Sequence, residues 1–328
     1  MPTFGYFLSC EEFGPTELVR QATLAERAGF RKLWISDHFH PWNDQQGQSP
    51  FVWSVIGALS QATHLPITTA VTCPTVRIHP AVIAQAAATA AVQTGKGFTL
   101  GVGTGEALNE HIFGDAWPSA PTRRAMLEEA VELIRALHRG NQIDYDGDYY
   151  TVSNARIYTR PVDGQPVPIY VSGFGPRSAE LAGRIGDGFL SVGPQAELID
   201  IFRSSGGGDR PAQGGLKVCY GGEEADAVAT AYRLWPNDHL PGELAQVLPT
   251  PRHFEQASTL VTHEQVAEAV PCGPDLGRYV DAIREYERAG YDEIYIGQIG
   301  PNHDGFFEFW SDRLAGELDT ATTSAAAR

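Results

Sequence analysis

The heptapeptide Ser36-Asp37-His38-Phe39-His40-Pro41-Trp42 places an acid, two imidazoles and an indole directly after Lys32-Leu33-Trp34-Ile35, an apolar run that reads as a buried strand. Imidazole gains and loses a proton near neutral pH, so His38 and His40 are candidates for acid–base work. Other strand-like runs end in comparable chemistry. Glu11 and Glu12 follow the first, Thr72 and Cys73 the third, and Thr104, Glu106 and Asn109 the fourth. The fifth enters Ser172-Gly173-Phe174-Gly175-Pro176-Arg177-Ser178, a loop leading into a helix, where free N–H groups and the helix dipole both favour an anion. Taken singly, each feature has an ordinary explanation: a solvated carboxylate, a packed Trp, a helix cap, a tight glycine turn. Their shared position after successive strands argues for one site, because the C-terminal ends of parallel strands converge on one mouth. No His, Cys and carboxylate spacing matches a structural metal centre, and no metal is expected.

Such convergence requires a particular scaffold. Strand patterns fall at 3–8, 32–36, 67–71, 98–102, 169–171, 188–191, 216–220 and 293–297. Helical patterns fall at 15–28, 50–63, 80–94, 122–138, 176–185, 223–235, 274–289 and 305–318, and Asp146-Gly147 signals a hairpin within 142–152. About eight βα units predict an α/β fold, a (β/α)8 TIM barrel with insertions at the C-terminal face of its strands. The expected organisation is one domain over 1–318, with a Pro-interrupted insertion at 235–262 near the mouth and a disordered tail at 319–328. A doubly wound sheet is the weaker reading, since no Gly-rich strand–turn–helix fingerprint opens the chain.

Composition limits the partners. The 328 residues carry a net charge of −16, which disfavours nucleic acid and acidic membrane surfaces. The four cysteines, Cys10, Cys73, Cys219 and Cys272, are widely spaced and read as reduced thiols of a cytoplasmic protein. No run approaches the ~20 apolar residues of a membrane span, and the N-terminus lacks a signal-peptide pattern.

The chain resembles the luciferase-like superfamily of flavin and deazaflavin (F420) enzymes, and within it the F420-dependent glucose-6-phosphate dehydrogenase group. The resemblance runs nearly the full length. It is carried by 36–42, by His79-Pro80-Ala81-Val82-Ile83-Ala84-Gln85, by Gly101-Val102-Gly103-Thr104-Gly105-Glu106-Ala107-Leu108-Asn109-Glu110, and by the stretches at 146–150 and 182–189. It implies coenzyme F420 at the C-terminal ends of the strands and a homodimer. It places the catalytic residues at His38, Trp42 and Glu106, with Glu11 as a further acid. It places cofactor contacts at Asp37, Thr104, Gly105, Asn109, Phe174, Gly175, Arg177 and Ser178, a Thr-to-Cys departure at Cys73, and a non-proline cis peptide at Ala70-Val71.

The sugar-phosphate pocket does not carry over. The four phosphate-holding positions of that group, a Thr, two Lys and an Arg, fall on Val192, Gln195, Ala245 and Ala269. A phosphate dianion buried without cations is strongly disfavoured, so an uncharged small-molecule substrate is expected: a secondary alcohol, a lipid-like hydroxyl or an unphosphorylated sugar. The expected reaction is hydride transfer between a carbinol and F420, with His38 as base, Glu106 as proton donor to the ring and Trp42 as a wall. The rival readings are an F420H2-dependent reductase of a ketone or imine, and an FMN-dependent monooxygenase on the same barrel.

Overall fold

The computed structural model describes residues 2–95, 97–160 and 166–318, so the tail expected at 319–328 lies outside the described residues. Eight parallel strands close a barrel in the order β1-β10-β9-β8-β7-β4-β3-β2. They are β1 (Thr3–Leu8), β2 (Lys32–Ile35), β3 (Ile67–Thr69), β4 (Phe98–Val102), β7 (Ile169–Ser172), β8 (Gly188–Val192), β9 (Ala212–Val218) and β10 (Glu293–Gln298), while β5 (Ile143–Asp146) and β6 (Thr151–Ala155) form a hairpin outside it. The chain is therefore a (β/α)8 TIM barrel, as its alternating pattern predicts.

The helices lie outside the strands: α1 (Pro15–Arg27), α2 (Val52–Ala62), α3 (Pro80–Thr94), the short α4 (Ala107–Glu110), α5 (Ala120–His138), α6 (Pro176–Ile185), α7 (Ala196–Phe202) and α8 (Glu224–Leu234). They are followed by α9 (Leu244–Val247), α10 (Pro251–Ser258), α11 (His263–Ala269), α12 (Leu276–Ala289) and α13 (His303–Phe309). Local chemistry sets several ends. Pro opens α1, α3, α6 and α10, where its missing N–H costs nothing. Ser119 and Asp275 cap α5 and α12, and Thr262 with Gln265 forms a capping box on α11.

Two expectations of the element map change. Strand β9 starts at Ala212, four residues before the sequence pattern at 216, because Gly214-Gly215 conceals it. Glycine sits there because neighbours close in: a Cβ on Gly214 would meet the Tyr286 ring at 2.8 Å, and one on Gly215 the Trp34 ring at 2.6 Å. The insertion at 235–262 is not a bare loop. It holds a 3-10 turn at Pro236–His239 and the helices α9 and α10. Its Phe254 meets Trp42 edge-on at 5.1 Å, and Glu255 Oε1 accepts from Asp44 N, so it is fastened to the loop after β2.

The barrel interior is aromatic. Trp34 stacks on Tyr295 at 4.5 Å and meets Phe7 edge-on, beside Leu190 and Tyr170. The indole N–H is satisfied by Gln213 Oε1 at 2.8 Å, and Gln213 in turn donates to Glu293, which pairs with Lys32. Outside, apolar helix faces pack on the strands in one large core. A smaller cluster of Val228, Trp235, Val261, Val266 and Ile299 lies under the insertion and includes part of Trp42. This packing makes Gly101 of β4 irreplaceable. A Cβ there would lie 1.9 Å from the Thr69 carbonyl oxygen, a backbone atom that cannot turn away. Gly101→Ala is expected to destabilise the fold by about 3 kcal/mol or more, and a urea midpoint equal to wild type would refute this account of the β3–β4 contact.

Candidate active site

The loop after β2 carries His38 to the barrel mouth, where two carboxylates meet it. His38 Nε2 lies 3.3 Å from Glu11 Oε1 and 3.5 Å from Glu106 Oε1. Asn109, inside α4, ties the arrangement together. Its Oδ1 accepts from Phe39 N at 2.8 Å and His40 N at 3.0 Å. Two backbone donors on one atom fix which end of the amide is oxygen. The Nδ2 end then donates to Glu106 Oε1 at 2.6 Å and faces His38 Nδ1 at 3.0 Å. In the tautomer that accepts this N–H at Nδ1, the ring proton sits on Nε2, pointing at the two carboxylates. His40 O, 3.2 Å from Nδ1, offers the alternative acceptor when Nδ1 carries a proton.

Glu11 is buried, and its surroundings keep it ionised. Burial alone pushes the carboxyl up, but His38 and the hydroxyls of Ser36 and Ser9 outweigh it and hold the pKa below the ordinary value. Those hydroxyls donate to Oε2 at 2.7 and 2.8 Å, leaving Oε1 to His38. The neighbouring Glu12 behaves oppositely. Burial pushes it up to about 7, although the Trp235 indole N–H and Gly300 N both donate to it. Trp42 lies against His38, ring centres 5.0 Å apart.

Asp37 is not an open ligand. Its carboxylate accepts from Arg77 Nη2 at 2.8 Å and from Thr72 Oγ1 at 2.8 Å, and the side chain is 1% exposed. Arg77 also approaches Glu110, whose Oε2 accepts from the backbone N–H of Arg77 and Val76. Glu110 Oε1 and Arg77 Nε, 3.6 Å apart, have no hydrogen-bond partner. Burial raises the Glu110 carboxyl to about 7. Sequence reading assigns no site role to Arg77 or Glu110, although Glu110 ends the 101–110 stretch that carries the resemblance and Arg77 stands two residues before the one at 79–85.

The remaining cofactor positions form a cradle. The Ala70-Val71 peptide is cis. Gly103 approaches Val71 so closely that a Cβ would stand 2.8 Å from Cγ2, and a Cβ on Gly105 would meet Cys73 Sγ at 3.4 Å. Burial keeps the Cys73 thiol well above its ordinary pKa, so it packs and does not react. Thr104 is half-buried at the rim. On the facing side Phe174 is 61% exposed and nothing lies within 4 Å of a Cβ on Gly175. Gly175 begins α6 without a side-chain cap, Arg177 is exposed and Ser178 half-buried. A glycine-lined floor, an exposed aromatic wall and an uncapped helix start with an arginine fit a flat ring with an anionic tail.

The four substrate-pocket positions are less uniform. Val192 ends β8 beside Gly215 and is 49% exposed. Ala245 is on α9, which packs against α4. Gln195 and Ala269 are exposed at the start of α7 and the end of α11. The structure adds a residue that sequence reasoning missed. Lys217 alternates inward with Gln213 and Gly215 on β9, and extending that strand to 212 would have shown its phase.

Comparison with known proteins agrees with this geometry. The luciferase-like monooxygenase family model matches residues 3–293. The F420-dependent glucose-6-phosphate dehydrogenases of Segniliparus rotundus and Mycobacterium tuberculosis are each 35% identical, over 96% of this chain and 97% of theirs. An F420-dependent secondary alcohol dehydrogenase, solved in complex with an F420-acetone adduct, superposes with a TM-score of 0.88 at 30% identity, over 95% of this chain and 97% of its own. The chain belongs to the luciferase-like family that holds these F420-dependent dehydrogenases.

The buried Glu110 makes stability depend on pH. Its folded pKa of about 7 lies above the ordinary 4.5, so the folded state holds the proton more tightly than the unfolded chain. That contribution is full below pH ~4.5 and lost as pH rises through ~7, a swing on the order of 3 kcal/mol. Glu110→Gln is expected to shrink the fall in melting temperature between pH 5 and pH 8, and an unchanged fall would show that the carboxyl is ionised throughout.

Proposed function

We propose that this protein is an F420-dependent oxidoreductase that acts on the CH–OH group of an uncharged secondary alcohol or unphosphorylated sugar. The single observation carrying the reading is His38 held between Glu11 and Glu106 by Asn109, beside a cradle suited to a flat anionic cofactor. When bound, F420 accepts or supplies the hydride. Ala70, Val71, Gly103 and Gly105 floor the ring site, Phe174 walls it, and the start of α6 with Arg177 and Ser178 receives the anionic tail.

The chain's own residues manage the proton. A carbinol hydroxyl that reaches Nε2 beside Trp42 stands next to the Glu11 and Glu106 contacts of that nitrogen. In the tautomer whose proton lies on Nδ1, donated to His40 O, Nε2 presents a bare lone pair and takes the hydroxyl proton. The imidazolium so formed is stabilised by the ionised Glu11 behind it. Trp42, fixed against Phe254, limits how the carbinol can turn. Glu106, oriented by Asn109 through Oε1, is the acid–base group on the ring side. The same groups run the reduction of a ketone in reverse. Val192, Gln195, Ala245 and Ala269 supply no positive charge for a phosphate. We take the enzyme to act in the cytoplasm, as its four free cysteines suggest, and as a homodimer, as the family resemblance implies.

Two measurements test this. Fluorescence quenching should show tight F420 binding, and tight FMN binding without F420 binding would instead favour a monooxygenase. With F420 bound, His38→Ala and Glu106→Gln should each lower turnover by ~10² or more; wild-type rates in both variants would remove these residues from the chemistry.

A further inference from the structure

The mouth contains a charged pair that the reaction above does not use. On β9, Gln213 faces into the barrel and bonds Trp34, and the Cβ position of Gly215 points at Trp34 and Val192. Lys217 is the next inward residue, at the C-terminal end, and its side chain is 20% exposed. Its ammonium is held from two sides. Asp238, on the 3-10 turn of the insertion, accepts at 2.6 Å, and the Trp235 ring lies 3.4 Å away. An ammonium has three N–H groups, and among the described residues no third partner is present. The Trp235 indole donates in turn to Glu12, the neighbour of Glu11. Lys217 is thus joined through two side chains to the loop that carries the His38 carboxylate.

The charge balance indicates what could satisfy the remaining N–H. Asp238 already neutralises Lys217, Glu12 also feels its charge, and Glu11 and Glu106 face His38. Arg123, near Glu106, is turned away to Pro118 O and Gln246 Oε1. A phosphate dianion would add negative charge to a mouth already rich in carboxylates, and the ammonium of β9 there is already paired with Asp238. A neutral hydroxyl or carbonyl oxygen accepts from Lys217 without that cost, and a hydroxyl can also donate to Asp238.

We propose that Lys217, positioned by Asp238 and Trp235, is a specificity-determining residue that binds a second, uncharged oxygen of the substrate. The preferred substrate is therefore a polyhydroxylated carbinol, not an alcohol with a single oxygen. This rests on the F420-dependent reading above. An apolar alcohol would leave the third N–H of the ammonium without a substrate acceptor, which penalises it relative to a polyol.

The test compares unphosphorylated hexoses and hexitols with 2-propanol and 2-butanol as reductants of F420, in the wild type, Lys217→Met and Lys217→Arg. The expected result is a higher kcat/KM for at least one polyol than for either simple alcohol. The polyol-to-alcohol ratio should fall at least about tenfold in Lys217→Met, mainly through KM, and recover in part in Lys217→Arg. F420 quenching in each variant confirms that the barrel is folded. A wild type that prefers the simple alcohols, or a Lys217→Met ratio equal to wild type, overturns this inference alone. Absence of F420 binding in the wild type overturns the reading beneath it, and F420 binding with turnover of neither class overturns both.

Discussion

The site depends on the four hydrogen bonds of one amide. Asn109 accepts two backbone N–H groups from the loop after β2 and donates to Glu106 and His38. With all four positions filled, the amide cannot rotate without losing bonds on both loops. It therefore ties the loop after β2 to the start of α4 at the mouth and holds the imidazole in place. Glu106 begins the turn that leads into α4, and His40 completes the same junction by facing Leu108 O with Nδ1 at 2.9 Å. The cofactor cradle and the acid–base group thus share one structural element.

A second layer holds the first in place. Asp37, next to His38, is locked to Arg77 and Thr72, and Arg77 reaches the buried Glu110 one residue past Asn109. The network leaves polar atoms of Arg77 and Glu110 unmatched, which makes it costly if it opens and sensitive to the charge on Glu110. On the substrate side the insertion contributes Trp235, Asp238 and Phe254, so the wall at Trp42 and the anchor at Lys217 belong to one cluster. Cofactor chemistry and substrate choice are consequently held by different parts of the barrel rim.

Much of the scaffold was legible in order of elements. Alternation of short apolar runs with capped helices gave eight strands, and the residue types after each run were those the mouth displays. The failures have physical causes. Gly214-Gly215 lowers the strand signal of β9, yet packing against Trp34, Tyr286 and Tyr291 requires glycine there. The short α7 and α11 escaped notice because each is seven residues long, too short to show a clear helical period. The hairpin expected at Asp146-Gly147 forms, but its connection spans 147–150 and the N–H groups of 148–150 are collected by Glu129 of α5, a contact that no local turn signal encodes.

The sequence by itself determined the kinds of groups at the strand ends, the phase that turns them inward and the fold that gathers them. Only the tertiary structure decided their charges and partners. Glu11 and Glu12 are adjacent in the chain and both deeply buried, yet one is held below the ordinary carboxylate range and the other is raised to about 7. Asp37 reads as an open cofactor contact in the sequence, yet it is already paired in space, and so is Lys217, which the sequence does not single out. The reason is that burial acts on every such group alike, whereas the compensating hydrogen bonds and counter-charges come from residues far along the chain.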